Sequence, residues 1–423
     1  MVSLSNREGV ARTIVRIAFT TMTSPLSTTG LDLRGRRAWT LIWGVAIAQL
    51  ISWGTLYYGF AVLVVPMERE LGWSRPDLNA ALSIGLLTSG LCAFAAGVWI
   101  DRHGARGLMT LASLAGAALL AAWSWIGTLY AFYALWALIG VSMAGTLYEP
   151  AFAAVTRIFP RDFRRAITAL TLVGGFASTV FVPFNQLLID RIGWRDALLV
   201  MAACNLLCAL LHWILIPPAA AVEQARNVSR DRGALRAALR RPAFWGLAVC
   251  FTALSLVFTA VVFHLMPLML EGGLSMATIV SGYAIIGPMQ VAGRLLFVWL
   301  SRTFSTRLIG TVSFALYPAA IAVLLLPASS ASLVAFVILY GLPNGIVTIV
   351  RGTIVPELFG AAAYGAISGA LATPSILARA AGPLLMALLW AASGNYSLVI
   401  WALLGLSLIA VVFWFVAVSG RRS

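Results

Sequence analysis

Apolar residues occur in long runs along the chain, and short polar breaks separate the runs. Each run holds about the 20 residues that a helix needs to cross a hydrocarbon layer of ~30 Å. The breaks are charged or rich in glycine and proline, as in loops between membrane helices. We therefore predict an all-α membrane protein with twelve transmembrane segments. They lie at 39–66, 76–100, 107–128, 130–158, 165–189, 195–217, 243–270, 276–300, 307–327, 331–356, 365–391 and 395–418.

Composition supports the same fold class. The 423 residues are 61% hydrophobic and 10% charged, whereas a soluble domain of this size needs a far more polar surface. The chain has four cysteines and three histidines, and the cysteines all fall inside apolar segments. We expect these cysteines to pack as small hydrophobic side chains, and we expect neither a metal centre nor a cofactor.

Most of the basic residues lie in the polar breaks between the membrane segments. The net charge of +15 could indicate nucleic-acid binding, but the arginines form no single patch, so we expect no nucleic-acid partner. Most of them fall on one side of the membrane, which by the positive-inside rule is cytoplasmic and holds both termini and the loop 218–241. Every basic residue is arginine, as is typical of a GC-rich genome, so we expect a bacterial inner membrane. The basic residues on this side are Arg34, Arg36, Arg37, Arg102, Arg106, Arg157, Arg161, Arg164, Arg165, Arg226, Arg230, Arg232, Arg236, Arg240, Arg241, Arg302, Arg307, Arg421 and Arg422.

The sequence repeats weakly at an offset of about 200 residues. The stretch around Pro183 resembles the stretch around Pro383, and "AIT" from Ala166 resembles "AIS" from Ala366. Two six-helix halves are the simplest explanation, and in repeat-built transporters the substrate site lies between the halves near the bilayer midplane. We predict four regions, which are a basic tail at 1–36, a first bundle at 37–217, a cytoplasmic linker at 218–241 and a second bundle at 242–423. The tail has no signal-peptide pattern, and Met22 is an alternative start.

The break between segments 2 and 3 reads "GVWIDRHGAR". It resembles the G-x-x-x-D-R-x-G-x-R signature of the major facilitator superfamily, whose fold is a 6+6 arrangement of twelve helices. The resemblance implies that Asp101 faces the N-terminus of helix 11, where the helix dipole favours a carboxylate. Gly97 and Gly104 permit a tight turn, and Arg102 and Arg106 hold neighbouring helix ends. The alternative is a solvated basic turn.

The equivalent break in the second half reads "FVWLSRTFSTR". Ser301 replaces the aspartate and Phe304 replaces the glycine, so only Arg302 keeps its place. We therefore expect any matching lock in the second half to be weak or absent.

Five ionisable residues fall at hydrocarbon depth: Glu149, His264, Arg294, Arg351 and Arg379. A charged side chain there costs ~2.5–3.5 kcal/mol on insertion scales, so it indicates a function and needs a partner. Three arginines and one carboxylate leave positive charge unbalanced. We predict that a small anionic substrate balances it.

Arg294 in segment 8 and Arg379 in segment 11 are candidates to bind a carboxylate, since a guanidinium donates two parallel hydrogen bonds. The pattern resembles the oxalate:formate antiporter group and the monocarboxylate transporters, where helix 8 carries a substrate-binding arginine and, in the former, helix 11 a second cation. Alternatively, these arginines pair with helix C-termini or with nearby carbonyls. Gln290 stands where animal monocarboxylate transporters have an aspartate, which leaves the proton coupling open.

Four further polar residues are candidates for the site. His264, in a segment 7 ending that resembles bacterial relatives of the monocarboxylate transporters, is either a proton switch or a packing residue. The hydroxyls of Tyr57 and Tyr58 either orient a carboxylate or belong to the core or the interfacial belt. Asn344, beside a proline and a glycine of segment 10, is a minor candidate.

Glu149 and Arg351 occupy nearly corresponding depths of segments 4 and 10. One hypothesis is an ion pair between the halves that helps to close the cytoplasmic side. The other is that Glu149 takes up protons while Arg351 extends its charge towards the interface.

Together these features predict a secondary transporter of a small organic anion, a mono- or dicarboxylate, that works by alternating access as a proton-coupled or exchanging carrier. The chain lacks lysine and therefore a P-loop, and it shows no nucleophile–base arrangement of an enzyme. The alternative is a drug or metabolite efflux transporter of the same fold. We expect a monomer in the lipid bilayer.

Overall fold

The computed structural model describes residues 35–219, 233–361 and 363–419. Most of the predicted basic tail and of the predicted linker lies outside the described residues. A short helix, Ala234–Leu239, precedes the second half of the chain. The described residues form helices and turns throughout, which confirms the predicted all-α class.

Twelve helices cross the fold within the described ranges. They are α1 Arg36–Leu71, α2 Arg75–His103, α3 Ala105–Trp123, α4 Leu129–Ile158, α5 163–192, α6 194–215, α7 Pro242–Glu271, α8 Met276–Leu300, α9 Thr306–Val323, α10 Ser330–Phe359, α11 Tyr364–Ser393 and α12 Ser397–Ser419. We call α1–α6 the first half and α7–α12 the second half. Their order and lengths agree with the twelve predicted segments.

Helices α5 and α6 together span the 53 residues Phe163–Leu215, with a short turn at 175–176, and this stretch crosses the membrane twice. Gly193 has a φ of 80°, which reverses the chain at a conformation that only glycine adopts freely. Asn185 and Asn205 then both bond to the same turn of α1, the former to the carbonyl oxygen of Gly54 and the latter to the hydroxyl of Thr55. In a straight helix these asparagines would lie ~30 Å apart, so α5 and α6 are antiparallel neighbours.

Serine N-caps begin several of the helices. The hydroxyl of Ser74 accepts the amide hydrogen of Asp77 at the start of α2, and Ser275 accepts that of Thr278 at the start of α8. Each bond satisfies one of the amides that the first turn leaves without a helical partner. The same cap therefore begins the second helix of each half.

One end of the bundle, which we call the basic face, carries Arg36, Arg102, Arg161, Arg241 and Arg302. Near this end, a single hydrophobic core contains buried residues of both halves. Towards the other end, a separate core is built from first-half residues. The two halves therefore pack against each other mainly at the basic face.

Helices α2 and α11 make the most intimate contact between the halves. A methyl group on Gly97 would overlap the backbone of Gly365, and one on Gly369 would meet the backbone of Ala93. Small residues let two helix backbones approach closely, which gives van der Waals packing where lipid offers no hydrophobic gain. These glycines therefore hold α2 against α11.

Candidate functional site

A cavity of about 150 Å³ lies between the two halves. Helices α1, α4 and α5 line it from the first half, and α7, α8, α10 and α11 line it from the second half. The charged side chains on its wall are Glu149, Arg294, Arg351 and Arg379, which are four of the five ionisable residues predicted at hydrocarbon depth. Three arginines and one glutamate leave the wall with a net charge of +2.

Breaks in the α-helical hydrogen bonding shape the first-half wall. Helix α1 widens into a π-turn over Gly54–Tyr58, a feature common at functional sites. Helix α4 is interrupted at Leu147, whose ψ of −156° is extended, and α5 is interrupted at Gly175. The wall residues Tyr57, Tyr58 and Tyr148 lie at or beside these breaks.

Arg294 is a buried residue of α8, only 6% exposed, and its guanidinium reaches the first half. It packs against Gly175, where even a methyl group would overlap it. Its Nε atom is buried without a hydrogen-bond partner, and it forms no ion pair with a carboxylate of the described residues. Among the described residues, Arg294 is therefore a cavity-wall charge without a carboxylate counter-ion.

Arg379 of α11 lies on the same wall. Its guanidinium carbon is 5.2 Å from the centre of the Phe258 ring, a cation–π contact. Its Nε atom is also buried without a hydrogen-bond partner, and no carboxylate in the described ranges pairs with it. The structure thus brings Arg294 and Arg379 to one cavity.

Glu149 and Arg351 form an ion pair between the halves at 3.5 Å. Both side chains are partly exposed, at 29% and 21%, and both line the cavity. The guanidinium of Arg351 also lies 5.5 Å from the ring centre of Phe251. This is the geometry that the cross-half hypothesis requires, while the role of the pair as a gate stays a prediction.

The remaining sequence candidates divide into two groups. Tyr57, Tyr58, Gln290 and Asn344 all line the cavity. His264 is not among the lining residues, and its Nδ1 atom lies 3.2 Å from the hydroxyl of Tyr396 at the far end of the second half. This position gives His264 no direct contact with a molecule in the cavity.

The conformational motif lies at the basic face, on the contact between α2 and α11. The carboxylate of Asp101 accepts the amide hydrogens of Gly365 at 3.0 Å and Ala366 at 2.6 Å, in the first turn of α11. Gly104 has a φ of 81°, which lets the chain turn directly into α3. Arg106 stacks on Trp213, with 4.0 Å between its guanidinium carbon and the ring centre. Arg102 is exposed at the same end.

The second half closes the basic face by a different contact. Ser301 supplies no carboxylate there, as the sequence indicated, and the expectation that a matching lock in this loop is weak or absent stays a prediction. Glu357 at the end of α10 forms an ion pair with Arg164 at 2.8 Å, beside the start of α5. The carboxylate comes from a different helix, so the comparison of equivalent loops could not find it.

The family model of the Major Facilitator Superfamily matches residues 41–373. The chain belongs to the Major Facilitator Superfamily. This confirms the resemblance carried by the motif from Gly97 to Arg106, and it identifies a multi-pass membrane transporter family.

Two named transporters are similar to parts of the chain. The "2-nitroimidazole transporter" of Escherichia coli (strain K12) is 28% identical over 267 residues, which cover 61% of this chain and 65% of that protein. "Monocarboxylate transporter 13" of Bos taurus is 30% identical over 234 residues, half of each chain. The chain thus spans less than two thirds of the length of these relatives.

Solved structures of the superfamily share the fold. FucP in the outward conformation superimposes with a TM-score of 0.72 at 16% identity, covering 90% of this chain and 98% of that one. The human organic anion transporter MFSD10 has a TM-score of 0.69 at 17% identity, covering 90% and 100%. At this identity the likeness shows the major facilitator fold.

Sequence reasoning missed most of the aromatic wall of the cavity. It includes Trp53, Tyr148 and Phe152 of the first half and Phe251 and Phe258 of the second half. An aromatic side chain in an apolar helix gives no distinctive signal, because lipid-facing and cavity-facing positions have similar hydropathy. The nearest signal was the adjacent pair Gly174 and Gly175, which marks a place of close approach.

Proposed function

We propose that this chain is a secondary transporter that carries a small organic anion, a mono- or dicarboxylate, by alternating access. One observation carries the proposal. Arg294 and Arg379 line the cavity between the halves, and neither has a carboxylate partner within the described residues. A carboxylate accepts parallel hydrogen bonds from a guanidinium, which matches the donors left unused here.

The positive charge of the whole cavity wall also favours an anionic cargo. Its net charge of +2 is costly at this depth unless a negative group enters the cavity. A bound anion supplies that charge and is released on the other side. The positive wall also disfavours a lipophilic cation, the cargo that a drug exporter of this fold would often carry.

One of the two relatives supports the carboxylate class, and the other is named for a compound that is not a carboxylate. One is named for monocarboxylates and another for 2-nitroimidazole. A carboxylate and a nitro group both present two oxygens on one planar atom. A guanidinium binds such a pair of oxygens side by side.

Alternating access requires contacts that break and re-form. At the basic face these are the bonds from Asp101 to the start of α11, the Arg164–Glu357 ion pair and, closer to the cavity, the Glu149–Arg351 ion pair. An anion that draws Arg351 from Glu149, or a proton that neutralises Glu149, would loosen the innermost contact. Both anion exchange and proton coupling are consistent with this arrangement. We place the basic face in the cytoplasm of a bacterial cell, with the protein as a monomer.

Counterflow in proteoliposomes tests the proposal. Vesicles loaded with unlabelled lactate, pyruvate or oxalate should accumulate the same labelled anion. Arg294→Ala and Arg379→Ala should each lower the rate, whereas Arg302→Ala removes an arginine from the exposed basic face and serves as the matched control. The proposal is wrong if anion counterflow is absent, or if it survives both cavity changes at the control rate. Ethidium movement without anion movement would favour the efflux alternative.

A further inference from the structure

We propose that the carboxylate cargo also carries a flat aromatic ring, which binds against the first half while its carboxylate faces the second half. This inference rests on the proposed function and concerns the same cavity. It is drawn from the unequal chemistry of the two walls.

The first-half wall is aromatic. It consists of Trp53, Tyr57 and Tyr58 from α1 and Tyr148 and Phe152 from α4, together with Glu149 and two glycines. The rings form one connected surface, in which the Trp53 centre lies 5.1 Å from that of Tyr148 and 5.4 Å from that of Tyr57. Tyr148 and Phe152 are stacked at 5.2 Å with only 14° between their planes. Such spacings are those at which aromatic rings attract one another.

The second-half wall carries the positive charge of the cavity. It also includes Leu254, Val347 and two rings, Phe251 and Phe258, each of which lies against an arginine. It contributes all three arginines of the cavity, and it also contributes the uncharged polar side chains Ser255, Gln290, Asn344 and Thr348. The only carboxylate on either wall, Glu149, comes from the first half. A cargo with one apolar end and one anionic end therefore fits both walls at once.

Other small anions fit only one wall. Oxalate and lactate would satisfy the arginines but would leave the aromatic surface of the first half uncovered. A polyhydroxylated acid needs hydrogen-bonding groups on both sides, whereas the first half offers mainly ring faces and tyrosine hydroxyls. A carboxylate joined directly to one aromatic ring meets the arginines and the rings together.

The size of the cavity agrees with a single ring. Its volume of about 150 Å³ is well below the ~300–1,000 Å³ of pockets for drug-sized ligands. The two glycines, Gly174 and Gly175, keep this space narrow, because the Tyr148 hydroxyl and the Arg294 guanidinium fill the places where their side chains would lie. A narrow space between walls favours a flat molecule over a thick one.

A pair of matched acids tests the aromatic preference in the unaltered protein. Benzoate and cyclohexanecarboxylate share the carboxylate and the number of carbons, but only benzoate is flat and has a π face. We expect benzoate to compete with labelled benzoate counterflow roughly 2- to 10-fold more strongly, the range implied by aromatic pairing energies. Equal or stronger competition by cyclohexanecarboxylate overturns the inference.

Variants assign the preference to the first-half wall. Tyr148→Leu and Trp53→Leu should each reduce the ratio of benzoate to cyclohexanecarboxylate affinity towards one. Trp401→Leu alters a tryptophan that is 59% exposed on α12, outside the cavity lining, and should leave the ratio unchanged. An unchanged ratio in both folded wall variants would also overturn the inference.

The outcomes separate this inference from the proposed function. If no carboxylate shows counterflow, the proposed function itself fails. If lactate or oxalate shows counterflow that depends on Arg294 while benzoate does not, the proposed function stands and the aromatic preference is rejected. Because the acid comparison uses the unaltered chain, it remains decisive even if a wall variant does not fold.

Discussion

The guanidinium of Arg294 on α8 lies directly against Gly175 on α5, although the two residues belong to opposite halves of the protein. A side chain of any size at residue 175 would occupy the same space. Gly175 therefore leaves the space in which this buried cation lies beside the cavity. The interruption of α5 at Gly175 therefore lies beside the candidate anion site on α8.

We expect Gly175→Ala to weaken anion binding by displacing Arg294. Overpacking of this kind costs ~1–3 kcal/mol, which corresponds to roughly a 5- to 150-fold rise in the apparent KM for the anion. The measurement is the concentration dependence of counterflow. Gly405→Ala is the matched control, since a methyl group there meets no other atom within 4 Å. An unchanged KM in a folded Gly175→Ala protein would contradict this role.

The Glu149–Arg351 pair predicts rescue by charge exchange. Either Glu149→Arg or Arg351→Glu alone places two like charges together in a partly buried site, and we expect transport to fall about 5- to 30-fold. The double variant restores an ion pair between α4 and α10, so counterflow should recover substantially. If the double variant is as inactive as the single ones, the pair acts through some property other than its mutual attraction. Glu149→Gln then tests proton uptake, through the pH dependence of the rate.

Asp101→Asn should weaken the closed basic face. The carboxylate accepts two amide hydrogens at the start of α11, whereas a carboxamide has one acceptor oxygen and no negative charge towards the helix dipole. We expect a loss of ~1–2 kcal/mol of stability, seen as a lower unfolding temperature, together with slower counterflow. Asp196→Asn changes an exposed aspartate at the other end of the first half. It should alter neither the unfolding temperature nor the rate of counterflow.

The Arg164–Glu357 ion pair makes a prediction about conformation. Arg164 is 53% exposed, so the pair contributes ~1 kcal/mol or less to the closed basic face. Glu357→Gln should therefore raise the population open at this face by up to about fivefold. Spin labels at Arg161, between α4 and α5, and at Arg302, between α8 and α9, lie in opposite halves at the basic face and would report that shift as longer distances. Identical distance distributions in the parent and the variant would show that the pair does not hold the face closed.

The sequence determined the features that depend on position along one helix. Runs of about 20 apolar residues set the helix count, because a helix needs roughly 17–25 apolar residues to cross the hydrocarbon layer. The resemblance of the stretch from Gly97 to Arg106 to the family signature implied the contact of Asp101 with the start of α11, which the structure shows. The depth of Arg294 and Arg379 was readable for the same reason, as a charge in an apolar run is conspicuous.

Only the tertiary structure decided which side chains face one another. It brought Arg294, Arg351 and Arg379 to one wall and left His264 beside Tyr396, because the rotation of each helix about its axis depends on its neighbours. Apolar composition specifies the depth of a residue in the bilayer but gives little information on that rotation, since lipid, core and cavity aromatics are alike in hydropathy. The contact between Gly175 and Arg294 and the pair of Arg164 with Glu357 join residues more than a hundred positions apart, so only the packing of the halves could bring them together.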